Sequence, residues 1–345
     1  MKSYFKFFKV SLIFTVIALV LASLIGLYYK GTASGAIEAL VLASILGVLE
    51  ISISFDNAVV NATVLKSMTS LWQRRFLTWG MVIAVFGMRL IFPLLIVAVV
   101  AGLGPWEALK LATFDPHEYA RIMLSVHHEV AAFGGAFLML VALKYFFNVE
   151  KKVHWIRALE VPLAKMGKLE AVETGITLIL IYFLSQKVPQ SETIPFLYAG
   201  IAGILTFLLV DGISVFLQVP AGQQANVHRA SLGMFLYLEV LDASFSFDGV
   251  VGAFAITNNL FIIATGLAIG AMFVRSLTLM MVEKGTLDSF EFLEHGAFYA
   301  VAALAIIMFL NTIIDIPEVI TGVVGATFIA LSIYSSVKKK RLRKH

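Results

Sequence analysis

The residues of this chain best placed to do chemistry are acids in positions where acids are costly. Glu50-Ile-Ser-Ile-Ser-Phe-Asp56-Asn57 lies in an apolar stretch, and Asp242-Ala-Ser-Phe-Ser-Phe-Asp248-Gly249 aligns to it without gaps. The shared pattern is acid-x-Ser-x-Ser-Phe-Asp-Asn/Gly. A charged side chain at the centre of a bilayer costs about 3 kcal/mol on insertion scales. Glu50, Asp56, Asp211, Glu239, Asp242 and Asp248 all fall in apolar segments, where Arg89 and Arg275 are the evident cations. Six acids facing two bases leave an anionic excess for protons or bound cations to neutralise. That imbalance points to a cation pathway.

The donor types narrow the cation. Carboxylates, amides, hydroxyls and backbone carbonyls are hard oxygen ligands that suit Mn²⁺, Ca²⁺ or Mg²⁺, whereas Cu(I) and zinc favour Cys and His. There is no cysteine, and none of the seven histidines lies mid-span. In a continuous helix Glu50 shares a face with Ser54, and Ser52 shares one with Asp56. The two faces are about 120° apart, and Glu50 and Asp56 are separated by a rise of about 9 Å. One ion cannot take both acids unless the helix is broken or the acids pair across the two motif copies. Asp56-Asn57 and Asp248-Gly249 are turn-prone dipeptides, which predicts a break at each. The expected arrangement sets Asp56 against Asp248 around the ion, with Glu50 and Asp242 one to two turns away. Asn57, Ser54 and Ser246 would complete the shell.

Plainer roles compete at several positions. Asp211 suits a buried ion pair with Arg89 or Arg275, and Glu239 suits a helper acid or proton site. Ser52, Ser54, Ser244 and Ser246 are also of the small type that packs membrane helices. Arg89 and Arg275 read as compensators of buried acids. His117, Glu118, His127, His128 and Glu129 form an outer-loop cluster, where solvated residues are the default and metal capture the alternative.

These residues need membrane helices to position them. Sixty per cent of the 345 residues are hydrophobic and 14% charged, against roughly 25% charged in soluble domains. Spans of about 20 apolar residues are expected at 8–29, 35–60, 77–101, 131–148, 173–186, 195–217, 232–256, 260–282, 297–313 and 318–337, the fifth being short. The first is read as a retained helix, not a cleaved leader.

With the N-terminus inside, the inner connections hold Lys66, Arg74, Arg75, Lys151, Lys152, Arg157, Lys165, Lys168, Arg229 and Lys284. The outer ones hold Lys30, Lys110, Arg121 and Lys187. This bias sets both termini in the cytoplasm. The basic run Lys338–Lys344 then faces anionic lipid and not nucleic acid.

Gly80 precedes Arg89 by nine residues, as Gly266 precedes Arg275. Each half thus has an acidic helix followed by one with a buried arginine. The motif runs outside-to-inside in the second span and inside-to-outside in the seventh, as in inverted-topology repeats. One transmembrane domain over 1–345 is expected, divided into five-helix repeats at 1–190 and 191–345. No Walker loop, HExxH or nucleophile elbow is present, so a non-enzyme without a prosthetic group is expected.

Glu50–Val60, together with Asp242–Val251 and the following Ala253-Phe-Ala-Ile-Thr257, resembles the TerC family. That family carries comparable acid-x-x-x-Ser-x-Asp-Asn and Asp-x-x-x-Ser-x-Asp-Ser stretches. Gly249 departs from it at the late Asn/Ser position. The long 102–130 connection and the acidic pair Glu239/Asp242 are more similar to the related DUF475 branch. The resemblance covers about 50–320. It implies the LysE-type transporter superfamily, manganese efflux across the bacterial cytoplasmic membrane, and metal ligands at Asp56 and Asp248, then Glu50, Asp242 and Asn57. Alternatives are export of Ca²⁺ or a basic amino acid, or a non-transporting assembly or stress-response factor.

Overall fold

A computed structural model of the chain describes residues 2–169, 171–217, 224–314 and 316–342; for 2–4, 224–229, 247, 248 and 318 it describes the backbone alone. The described residues are helical and contain no strand. In order the helices are α1 (Lys2–Lys30), α2 (Ala33–Ile53), α3 (Phe55–Leu65), α4 (Ser70–Val100), α5 (Pro105–Phe114), α6 (Pro116–Ser125), α7 (His127–Phe146), α8 (Arg157–Met166), α9 (Val172–Ser185), α10 (Thr193–Leu217), α11 (Gln224–Ala253), α12 (Leu260–Glu283), α13 (Thr286–Ser289), α14 (Leu293–Leu310) and α15 (Glu318–Leu342).

Every expected span is helical, the second (35–60) being divided between α2 and α3. Eight are long and apolar enough to cross a membrane: α1, α2, α4, α7, α10, α12, α14 and α15. The other two are α9, which is only 14 residues long, and α11, which is 30 residues long but carries Glu239, Asp242 and Asp248. The chain is therefore a multi-pass membrane protein. A backbone immersed in lipid must satisfy its own hydrogen bonds, and helices do so locally.

Burial separates central helices from peripheral ones. Within their most apolar windows, α12 is 72% buried and α7 67%, whereas α1 and α10 are each 22% buried. α12 packs on α1, α2, α3, α4 and α11. α7 packs on α9, α10, α11 and α14. The lipid-facing helices expose their apolar chains, as Val16, Ile17 and Val20 of α1 do.

Local chemistry fixes the helix ends. Thr32 caps α2 by accepting from the Gly35 N–H at 3.2 Å, after Gly31 makes the turn from α1 at φ +63°. Asn259 caps α12, accepting from the N–H groups of Phe261 and Ile262 at 3.0 and 3.2 Å. Such caps satisfy orphan donors at helix starts. The long 102–130 connection folds as the paired helices α5 and α6, each opening on a proline at its first position. The 149–172 connection contains α8.

The breaks expected at Asp56-Asn57 and Asp248-Gly249 fall elsewhere. In the first copy the helix yields at Ser54, whose backbone (φ −90°, ψ 18°) joins α2 to α3. In the second copy α11 runs unbroken through the motif to Ala253. Glycine and asparagine tolerate a turn without requiring one, and an apolar surrounding rewards unbroken backbone hydrogen bonding.

Candidate functional site

A polar stripe on α2–α3 meets a matching stripe on α11. Glu50, Ser54, Asn57 and Asn61 recur at spacings of four, three and four residues, which keeps them on one helical face. Asp242 and Ser246 occupy the positions of Glu50 and Ser54 in the second copy. These six side chains line a single cavity of about 30 Å³ closed by α4 and α12. A cavity of that size holds about one or two small polar occupants, since one water needs roughly 10–15 Å³.

Glu50 is the pivot. Its Oε1 accepts from Arg89 Nη2 at 2.6 Å, and both side chains are 5% exposed. A second small cavity, against Gly249, Phe245, Leu304 and Thr321, opens on the other side of the Glu50 carboxylate. Glycines of two neighbouring helices, Gly270 of α12 and Gly249 of α11, make room for it. A Cβ on Gly270 would overlap the Glu50 stem, and one on Gly249 would stand 3.0 Å from Glu50 Oε2.

α4 presents Arg89 through distorted backbone. Phe76–Gly80 and Ile83–Ile91 are π-helical, and Pro93 within the same helix removes one N–H from its ladder. Arg89 Nη1 donates to the carbonyl of Ala84, five residues earlier, at 2.6 Å. Wide turns of this kind leave carbonyls for side chains and often mark functional sites. Arg275 of α12 lines the same cavity.

The remaining acids are distributed differently from the expected pairing. Asp242 Oδ1 accepts from Asn61 Nδ2 at 3.4 Å. Asp56 is buried but lies off the stripe: its Oδ1 has no hydrogen-bond partner, and its carboxylate is beside Gly325 of α15, not in the cavity. The side chain of Asp248 lies outside the described residues. Glu239, one turn before Asp242, presses Oε1 against the bare face of Gly80, where a Cβ would stand 2.5 Å away.

Asp211 pairs with Lys144 of α7, not with either arginine. Ser52 is exposed and donates to the Val48 carbonyl at 2.8 Å, and the buried Ser244 donates to that of Val240 at 3.0 Å; both hydroxyls are satisfied within their own helix. Ser246 Oγ is buried with no partner and lines the cavity.

The outer His/Glu cluster disperses over several partners. His117 bonds Asn258 at 2.8 Å, Glu118 pairs with Arg121 at 2.5 Å, His128 pairs with Glu192, and His127 lies against the His128 ring. Hydrogen bonding to Arg121 holds the Glu118 carboxyl below its usual range. Glu129 turns into an apolar cavity. Among the described residues no group of three His, Asp or Glu side chains converges as a metal cage. The hard donors that do converge are Glu50, Asp242, Asn57, Asn61, Ser54 and Ser246. Asn61 was not among the sequence candidates, and its signal was its place one turn after Asn57.

The match to a family model, described as "Protein of unknown function (DUF475)", covers residues 55–343. The chain belongs to the DUF475 family. An "uncharacterized membrane protein" of Rickettsia bellii (strain RML369-C) is 27% identical over 107 residues, which is 31% of this chain. The matched part spans 35% of that relative's length. No solved structure matches.

Proposed function

We propose that this DUF475 protein is a secondary transporter that exports a hard divalent cation, Mn²⁺ first, through the Glu50–Asp242 cavity. The observation that carries this reading is that equivalent positions of the two motif copies, Glu50 with Asp242 and Ser54 with Ser246, line one buried polar cavity between membrane helices. Arg89 and Arg275, the matched arginines, line it too. Charged groups inside a membrane bundle mark substrate and ion paths.

The charge balance supports a cation as cargo. With Asp211 assigned to Lys144, the acids with described side chains in and beside the two motif copies are Glu50, Asp56, Glu239 and Asp242, facing Arg89 and Arg275. Arg89 holds Glu50 in the place an incoming cation would take, so loading exchanges one positive charge for another. The cavity has room for an ion and a water but not for an amino acid, which favours metal over lysine.

Alternating access between five-helix halves at 1–190 and 191–345 is the mechanism we infer. Helix contacts recur in pairs: α2 on α12 as α11 on α4, α1 on α2 as α10 on α11, α7 on α11 as α14 on α3, and α7 on α9 as α14 on α15. Contacts that recur in this way support a repeat, and the opposite directions expected for the second and seventh spans would make it inverted. The TerC-like motifs and the LysE-type superfamily they imply agree with it. Both termini are assigned to the cytoplasm of a bacterium, with the basic run that starts at Lys338 against anionic lipid (its residues 343 and 344 lie outside the described residues), and a gradient or the membrane potential supplies the drive.

Proteoliposomes holding the purified protein test this with Mn²⁺ flux. Glu50→Gln and Asp242→Asn should each lose most of the flux, and Ca²⁺ should compete better than lysine. Full flux in both variants would overturn the site. No flux of any of the three by the native protein would favour a non-transporting assembly factor.

A further inference from the structure

A third cavity lies back to back with the polar one, on the far side of α11. It measures about 420 Å³ and is walled by Phe92 and Ile96 of α4, Phe133 of α7, Ala199 of α10, Ala243 of α11 and Met308 of α14. α4, α7, α10 and α14 are all long and apolar enough to span a bilayer. The lining residues lie toward the end of the bundle where α4 and α14 finish and α7 and α10 begin. The cavity therefore sits within one leaflet and near its polar boundary.

One group does not suit a hydrocarbon-lined space. Glu129, in the first turn of α7, lines the cavity, and its Oε2 is buried with no hydrogen-bond partner. A carboxylate oxygen removed from water and from donors is costly unless a cation or donor meets it. A mostly apolar cavity of 300–1,000 Å³ with a single polar anchor is the usual form of a small-ligand site. The ligand chemistry is then an aliphatic body with a hydrogen-bonding cation at one end.

We propose that this cavity holds an acyl chain of phosphatidylethanolamine, with the lipid's ammonium group on Glu129. The spanning helices around it make the bilayer the source of the occupant. Glu129 repels a purely anionic headgroup, and a choline headgroup has no N–H to donate. The site does not depend on transport. It abuts the face of α11 opposite Asp242, so filling it would brace the helix that carries that acid.

The test is native mass spectrometry of the full chain extracted from vesicles of phosphatidylcholine with and without phosphatidylethanolamine. The native protein should retain one phosphatidylethanolamine in preference to phosphatidylcholine. The isosteric Glu129→Gln should reduce that preference about tenfold, the worth of one hydrogen bond to a charged group. Ala243→Leu, which fills the cavity, should lose the retained lipid. Glu129→Gln keeps the test decisive if the cavity-filling variant does not fold. An unchanged lipid preference in Glu129→Gln, or retention only in proportion to vesicle composition, overturns the proposal.

Discussion

Glu50 shows why residue type alone did not assign the site. The motif offered two faces, Glu50 with Ser54 and Ser52 with Asp56, and the expectation favoured Asp56. The cavity formed on the Glu50 face, because Ser54, Asn57 and Asn61 continue that stripe for two further turns while Ser52 looks outward. Asp56 instead occupies the first turn of α3, where a helix N-terminus favours negative charge. Arg89 is bound to the same logic. Removing one partner of a buried ion pair strands the other, at about 3–5 kcal/mol. Arg89→Gln should therefore lower the melting temperature in detergent strongly, and adding Glu50→Gln should recover much of it. A double variant as unstable as the sum of the two single ones would show that the pair is not coupled. Gly270→Ala should cost about 1–3 kcal/mol by overpacking against the Glu50 stem and should reduce flux with it, measured as melting temperature and vesicle uptake.

At the scale of elements, α12 carries the arrangement by lying close to its neighbours. Gly47 of α2 and Gly266 of α12 let the two helices approach, and a Cβ on Gly266 would stand 2.7 Å from Leu46 Cβ and 2.9 Å from the Ala43 carbonyl. Small residues at crossings replace the hydrophobic effect as the source of packing energy in lipid. α1 is fixed to the same helix by polar contacts. Ser11 donates to the Met272 carbonyl at 2.6 Å, and Ser276 donates to that of Phe7 at 2.9 Å. Gly266→Leu should separate α2 from α12 and lower the melting temperature by far more than Ser11→Ala. The latter loses the bond to the Met272 carbonyl and the 2.6 Å contact with Ser276 Oγ, interhelical hydrogen bonds in membrane bundles being worth about 0.6 kcal/mol each on average. The same measurement on the two variants checks this, and equal losses would mean that the crossing is not set by close approach.

Over the whole molecule, α8 is locked to the bundle by one carboxylate. Glu160 is fully buried and accepts from the N–H groups of Trp155 and Ile156 at 3.2 and 3.1 Å and from Tyr299 at 3.3 Å. Lys151, His295 and His154 stand 3.1, 3.4 and 3.5 Å from it, and Glu294 faces Lys151. Burial pushes the Glu160 carboxyl up, but the Ile156 N–H, His295 and Lys151 outweigh it and hold the group below its usual range. A depressed carboxylate stabilises the fold above its unfolded value, about pH 4.3, and that contribution is lost as pH falls through the lower folded value. Glu160→Gln should thus be less stable than the native chain near neutral pH, and the difference should shrink under acid. Thermal melts across that range measure it, and a constant offset would contradict the role.

The sequence by itself determined the solvent, the helices and the doubled acidic motif, because apolar run length and residue spacing are local properties. Even the face that lines the polar cavity was present in it, as the stripe through Glu50, Ser54, Asn57 and Asn61. What only the tertiary structure decided was which buried charge meets which. Lys144 claimed Asp211, Arg89 claimed Glu50, Glu129 went to an apolar cavity, and His295 came to Glu160 from another helix. Partners chosen across helices depend on how closely the backbones cross, and the glycines at 266 and 270 that permit it were legible only in part: Gly266 as a mark of the repeated spacing, Gly270 not at all.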